Sequence, residues 1–150
     1  MITRSRHSLI VWYSLSFWIV CEALYLVETQ KRKKSKETLR LAIAGVRDAA
    51  AISEWNFLNK LTLLEAELYS FEKKNDRALA SYDASIASAR NSRFTHEQGL
   101  ACEKAGFHCK KAKDKGRAVN YFQQARECYE DWGSSVKVDV IKKELDCLNI

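Results

Sequence analysis

The sequence predicts an all-α protein in which antiparallel helical hairpins stack as a solenoid of about seven helices. Proline is absent from all 150 residues and glycine occurs only five times, which disfavours a β fold rich in turns. Apolar residues recur at the helical spacing i, i+3, i+4 and i+7 in successive segments. Two hairpins also share one pattern of small and aromatic residues, which indicates a repeat array.

The first hairpin is predicted over residues 8–54. Its first helix is the apolar run LIVWYSLSFWIVCEALYLV at residues 9–27, and its second helix is Lys36 to Ser53. The second helix has an apolar stripe typical of an amphipathic helix. We expect the first helix to be buried against the residues of this stripe, chiefly Leu39, Ile43 and Val46.

The remaining elements continue the array, so that residues 1–150 form a single domain. A second hairpin is predicted at about 56–92, a third at about 95–132 and a capping helix at about 135–148. Only two to five residues separate consecutive helices, as antiparallel neighbours require. Short polar side chains that can cap free backbone N–H groups mark the predicted helix starts, namely Asn75 with Asp76, Thr95 and Asp114.

An internal repeat of 40 residues relates the second and third hairpins, since 118 minus 78 and 106 minus 66 both give 40. The small residues let two helices approach closely, and an aromatic residue one turn later fills the space between hairpins. The residues predicted to pack the repeats are Ala66, Tyr69, Ala78, Tyr82 and Ser85 in the second hairpin and Gly106, Cys109, Ala118, Phe122 and Ala125 in the third.

This spacing resembles the tetratricopeptide repeat, although the period is longer than the usual length of roughly 34 residues. The segments FTHEQGLACE (94–103) and YEDWGSSVKV (129–138), with Arg117 and Ala118 between them, are similar to the tetratricopeptide-like region of large signalling proteins. The similarity extends upstream through WNFL (55–58) and LLEAE (63–67) to the first segment. In that family a serine/threonine-kinase-like domain and an AAA-type signal-transduction ATPase domain precede the helical region. A GAF domain with a histidine kinase or a nucleotide cyclase often follows.

The resemblance implies a non-catalytic protein–protein interaction scaffold, either a fragment of a longer signalling protein or a free-standing relative. The sequence has no G-x-x-x-x-G-K phosphate loop and no H-R-D or D-F-G motif, so the ATPase and kinase activities of the family are not expected here. We therefore expect no enzymatic activity and no cofactor. The expected partner is a protein or peptide, or an adjacent domain of a larger signalling protein.

In a solenoid of this kind, the first helix of each hairpin would line a concave face. Leu63 and Phe107 are apolar among charged neighbours there, an arrangement suited to binding a peptide or a partner helix. Alternatively, both residues pack against an adjacent domain or within the array itself. The predicted partner-binding residues are Lys60, Leu63, Glu67 and Ser70 in the second hairpin and Glu103, Phe107 and Lys110 in the third.

Patterns that would indicate metal binding or catalysis are incomplete. His96 and Glu97 begin an H-E-x-x-H zinc motif, but Leu100 occupies the position of the second histidine, so we expect His96 to pack at a helix start. His108 and Cys109 are adjacent on a helix and therefore point about 100° apart, which disfavours a nucleophile pair. Five cysteines without a C-x-x-C motif indicate reduced thiols in a cytosolic setting.

Two basic clusters accompany the net charge of +6. The run KRKKSK, Lys31 to Lys36, is interpreted first as a solvated loop; the alternatives are a nuclear-import signal and a patch for a membrane surface or nucleic acid. The second cluster has no interleaved aromatic residue to stack on bases, so nucleic acid is a disfavoured partner. Its members are Lys104, Lys110, Lys111, Lys113, Lys115 and Arg117.

Residues 9–27 leave open a second functional class, a helical adaptor that is anchored in a membrane or exported. Glu22 and two serines offset nearly all of the free energy that the apolar residues would gain on insertion, but they do not exclude insertion. The aromatic residues are scattered through the run, whereas a spanning helix gathers Trp and Tyr at its two ends. We therefore favour a buried helix and a cytoplasmic location, with the membrane a less favoured partner.

Overall fold

The structure, a computed structural model, describes the backbone of residues 32–148 and the side chains of residues 35–148. Within these ranges it consists of helices and short turns, which confirms the predicted all-α class. The helix predicted at 9–27 lies outside the described residues. The six described helices are α1 (Arg32–Ile52), α2 (Glu54–Phe71), α3 (Asn75–Asn91), α4 (Thr95–Lys111), α5 (Lys115–Trp132) and α6 (Ser135–Leu148).

Each described helix packs chiefly against its neighbours along the chain. The most extensive contacts join α2 to α3 and α4 to α5, which are the two hairpins that share the repeat pattern. Helix α2 also touches α4. These two helices run parallel, because Lys60 pairs with Glu97 near their starts, and Ser70 lies beside His108 near their ends.

Helices α2 to α5 end in the same type of turn. Lys73, Arg93, Lys113 and Gly133 all have positive φ angles, of 60°, 58°, 62° and 82°, and each lies 20 residues after the one before it. The left-handed residue donates a backbone hydrogen bond to the carbonyl three residues earlier, and the next residue donates to the carbonyl five residues earlier. This is the Schellman motif. The 40-residue repeat is thus divided into two halves of equal length.

The same turn determines where the next helix begins. The caps predicted at Asn75 with Asp76 and at Thr95 are therefore wrong. Helix α3 begins at Asn75 with Lys74 in the cap position, and α4 begins at Thr95 after Phe94. Neither of these cap residues makes a side-chain capping bond. Asp114 is a true cap, because its carboxylate accepts a hydrogen bond of 3.0 Å from the backbone N–H of Arg117.

The residues predicted to pack the repeats lie in the core, except that Tyr69 is only partly buried against it. Gly106 marks the closest approach of α4 to α5: a Cβ atom there would lie 2.7 Å from the ring of Phe122. That ring is fully buried and meets Phe107 edge to face, so it has little room to move. At Gly45 of α1, by contrast, no atom of the described residues lies within 4 Å of the position that a Cβ atom would take.

These two glycines allow a matched test of the packing. We expect Gly106→Ala to lower the free energy of unfolding by about 1–3 kcal/mol, because the added methyl group would push against the Phe122 ring. Gly45→Ala should raise it by about 0.5–1 kcal/mol, because alanine reduces the entropy of the unfolded chain and meets no atom in the helix. Urea denaturation of both variants measures the difference. Effects of the same sign would contradict the packing described here.

The left-handed turns allow a second test. Lys113→Gly should raise the free energy of unfolding by about 0.5–1 kcal/mol, because a left-handed conformation costs a lysine energy that it does not cost glycine. The control is Ala112→Gly one residue earlier, where φ is −76° and glycine should destabilise by about 1 kcal/mol. Thermal unfolding followed by circular dichroism compares the two. Equal losses of stability would exclude a strained turn at Lys113.

Candidate interaction groove

An open groove of about 560 Å³ lies between α2 and α4, next to α3. Its residues come from the second half of α2 and of α4, at spacings of three and four that place them on one face of each helix. Tyr82 contributes from α3. We name this site the α2–α4 groove; it is lined by Glu67, Ser70, Phe71, Tyr82, Glu103, Lys104, Phe107, His108 and Lys111.

Several of the predicted partner-binding residues meet in this groove, namely Glu67, Ser70, Glu103 and Phe107. Lys60 and Leu63 do not, because their side chains are only 2% and 4% exposed. Their predicted place on an open concave face is therefore wrong. Lys110 is exposed but does not line the groove, and its ammonium group pairs with Glu144 of α6.

Lys60 is buried because it crosses from α2 to a carboxylate on α4. Its Nζ lies 2.8 Å from Glu97 Oε2, donates to the backbone carbonyl of Asn56 and sits 5.1 Å from the centre of the Phe94 ring. Asn59 donates a further hydrogen bond to Glu97. A buried charge needs such partners, since a lone charge in the interior is too costly. This cluster joins α2 to α4 near their starts.

The wall of the groove contains a buried histidine. His108 Nδ1 lies 2.8 Å from Ser70 Oγ, while Nε2 is buried and has no hydrogen-bond partner among the described residues. Burial lowers the pKa of His108, and the neighbouring charge of Lys111 lowers that pKa further. The imidazole is therefore neutral at pH 7, with one ring nitrogen still able to donate or accept.

Two tyrosines fix the carboxylates of the groove. The hydroxyl of Tyr82 donates to Glu67 over 2.6 Å, and the hydroxyl of Tyr129 donates to Glu103. Burial and the neighbouring carboxylate raise the pKa of both tyrosines above the ordinary value of 10.0. Lys137 of α6 also binds Glu103, with an Nζ–Oε2 distance of 2.8 Å. The acidic residues are thus held in place by the fold.

Lys104 and Lys111 add basic residues to the groove, and Phe71 and Phe107 add apolar surface. The Phe107 ring is positioned by its edge-to-face contact with Phe122, at a centroid distance of 5.2 Å. The groove therefore combines aromatic surface with both signs of charge. Such a surface is suited to binding a polypeptide.

Several groove residues are not predicted as partner-binding residues by the sequence. The sequence predicts Tyr82 to pack the repeats, and its pattern does not place His108 on a partner-binding face. Phe71, Lys104 and Lys111 lie one helical turn from the predicted residues Glu67 and Phe107, so the i, i+4 rule would have found them. Nothing in the sequence signals that the second nitrogen of His108 lacks a partner.

The described residues contain no group of three or more His, Cys, Asp or Glu side chains that could hold a metal ion. His96, in the first turn of α4, stacks on Trp132 at a ring-centroid distance of 5.2 Å. The cysteines described, Cys102, Cys109, Cys128 and Cys147, are free thiols. Burial raises the pKa of Cys109 to about 11.

In the range 32–148, no helix is long and apolar enough to cross a membrane. Compared with known proteins, the chain matches no protein-family model, no curated protein and no solved structure. The α2–α4 groove and the surface charges of the chain itself are therefore the basis for assigning a function.

The buried imidazole predicts a pH dependence of stability. Because the folded state lowers the pKa of His108, the unfolded chain takes up a proton first as the pH falls through the ordinary value of 6.5. The free energy of unfolding should therefore be highest above this pH and should decrease below it. Urea denaturation at pH 7.5 and 5.5 measures the change. His108→Asn should show a smaller decrease than the wild type.

His96 provides an independent comparison for His108, because burial lowers the pKa of His96 as well. His96→Asn should remove a separate part of the decrease, and the double variant should remove both parts. An unchanged pH dependence in His108→Asn would show that the imidazole of His108 titrates alike in the folded and unfolded chains.

Proposed function

We propose that this chain is a non-catalytic interaction module whose α2–α4 groove binds a peptide segment of a protein partner. The observation that carries the proposal is the groove itself, about 560 Å³ in volume, with Phe71 and Phe107 beside side chains of both charges. A short peptide fits such a surface when an apolar residue contacts the rings and flanking residues contact the charges.

The fixed geometry of the groove favours binding over mere packing. Glu67 and Glu103 are oriented by tyrosine hydroxyls, and Phe107 is oriented by Phe122. Side chains that are already ordered lose little entropy when a partner binds. Acidic residues in the peptide would contact Lys104 and Lys111, and an apolar residue would lie between the two phenylalanines.

The repeat supports a scaffold role of the kind known for tetratricopeptide-like arrays. Helices α2 and α4 begin successive hairpins and lie parallel, as neighbouring first helices do in a solenoid. We accordingly propose a solenoid arrangement and a cytoplasmic role resembling that of the helical region of signalling ATPase and kinase proteins. Adjacent domains of such a protein are candidate partners beside separate proteins.

Selection of displayed random peptides on the immobilised full chain, followed by calorimetric titration of the selected peptides, tests the groove. We expect Phe107→Ala and Lys111→Glu each to weaken binding about tenfold or more, because they remove an aromatic contact and reverse a charge in the site. The matched control for Lys111→Glu is Lys142→Glu, an exposed lysine of α6 outside the groove, which should change the affinity less than twofold.

Urea denaturation of each variant separates a loss of binding from a loss of folding. Selected peptides that bind all three variants as tightly as they bind the wild type would place the binding surface elsewhere. A selection that yields no binding peptide would remove the support for a peptide-binding module.

A further inference from the structure

Lysine and arginine residues from distant parts of the chain meet at one end of the described helices. This end comprises the start of α1, the α2–α3 and α4–α5 turns and the end of α6, and we name it the basic end. Lys36, near the start of α1, lies 2.6 Å from Glu72 in the α2–α3 turn. The last turns of α2 and α4 are adjacent through Ser70 and His108. The last turns of α4 and α6 are joined by Lys110 and Glu144.

Many of the cations at the basic end have no acidic partner among the described residues. Glu72 and Glu144 are already paired with lysines, and Asp114 is paired with Arg117. Pairing with Lys36 and Lys74 lowers the pKa of Glu72 to about 2. The lysines that are exposed and form no ion pair with a described residue are Lys73, Lys111, Lys113, Lys115, Lys142 and Lys143.

At the opposite end of the described helices, the balance of basic and acidic residues is different. Its turns lie at residues 53, 92–94 and 133–134, and its basic residues include Arg90 and Arg93. Acidic residues are frequent around these turns, namely Glu54, Glu127, Glu130, Asp131 and Asp139. Among the described side chains, basic residues therefore outnumber acidic ones at the basic end, where Glu37, Asp76 and Asp146 are the remaining acidic residues.

We propose that the basic end docks onto the surface of an anionic phospholipid membrane. Flexible lysines that project from turns suit diffuse phosphate and carboxylate headgroups, and each lysine near such a surface strengthens binding about fivefold. Single-stranded nucleic acid would call for aromatic residues among the cations. The turn segments EKKNDR (72–77) and KKAKDKGR (110–117) contain none, and the partly buried Tyr69 ring beside Lys74 and Arg77 is a single aromatic residue rather than a series that could stack on successive bases.

The covalent chain also favours a membrane over an acidic protein or a nucleic acid. Helix α1 begins at Arg32 at the basic end, and the apolar run at residues 9–27 ends five residues earlier. In the sequence, the basic run KRKKSK at residues 31–36 follows this apolar run closely. Apolar residues close to a cluster of lysines are the combination that binds anionic membranes.

The basic end shares Lys111 with the α2–α4 groove, but the membrane proposal does not depend on the peptide-binding proposal. The test is co-sedimentation of the full chain with two kinds of vesicle at a salt concentration of about 0.1 M. One kind contains phosphatidylcholine alone, and the other contains phosphatidylcholine with about 30% phosphatidylserine. We expect preferential binding to the anionic vesicles. The double variant Lys73→Glu with Lys113→Glu should weaken it at least tenfold. The matched control, Arg90→Glu with Arg93→Glu, makes the same charge change at the opposite end and should alter binding less than twofold.

Three outcomes would overturn the proposal: equal binding to neutral and anionic vesicles, equal losses in the two double variants, or no binding to either vesicle. Tighter binding to a DNA duplex of about 20 base pairs at the same salt concentration would favour a nucleic-acid partner instead. Phe107→Ala should bind the anionic vesicles as the wild type does, which distinguishes failure of this proposal from failure of the groove proposal.

Discussion

Helices α2 to α5 each end in a left-handed residue, and these residues recur every 20 residues along the chain. Because each helix and its turn have the same length, alternate helices run parallel and in register. The α2–α3 turn and the α4–α5 turn therefore reach the same end of the described helices. The α2–α4 groove and the basic end both depend on this regular spacing, since each combines residues that lie about 40 apart in the sequence.

The buried cluster of Lys60, Glu97 and Asn59 complements the turns. A turn determines how two consecutive helices meet, whereas this cluster determines how α2 meets α4 across the intervening helix. A buried ion pair contributes little net stability, because both charges lose their water. Displacing one partner is costly, however, because it leaves the other charge buried and unpaired. We therefore expect the pair to act mainly on the register of α2 and α4, and hence on the shape of the groove between these helices.

The sequence was sufficient to predict the six described helices, and the period of 40 is supported because Ala78 and Ala118 occupy equivalent positions and both are fully buried. The half-period of 20 was hidden, since Lys73, Arg93 and Lys113 stand where glycine would have marked the turn. The burial of Lys60 could not be predicted, because its partner Glu97 lies 37 residues away on another helix. Periodicity reveals which face of a helix is apolar, but not which charged residue meets a partner inside the core.

The groove and the basic end overlap at one residue. Lys111 lines the groove and is also one of the unpaired lysines of the basic end, whereas Phe107 belongs to the groove alone and Lys73 to the basic end alone. A peptide that contacts Lys111 through an acidic residue would remove one of several positive charges from a membrane-facing surface. Because the other lysines remain available, peptide binding and membrane binding are expected to be compatible and only weakly coupled. A chain with these two surfaces could hold a peptide partner next to an anionic membrane.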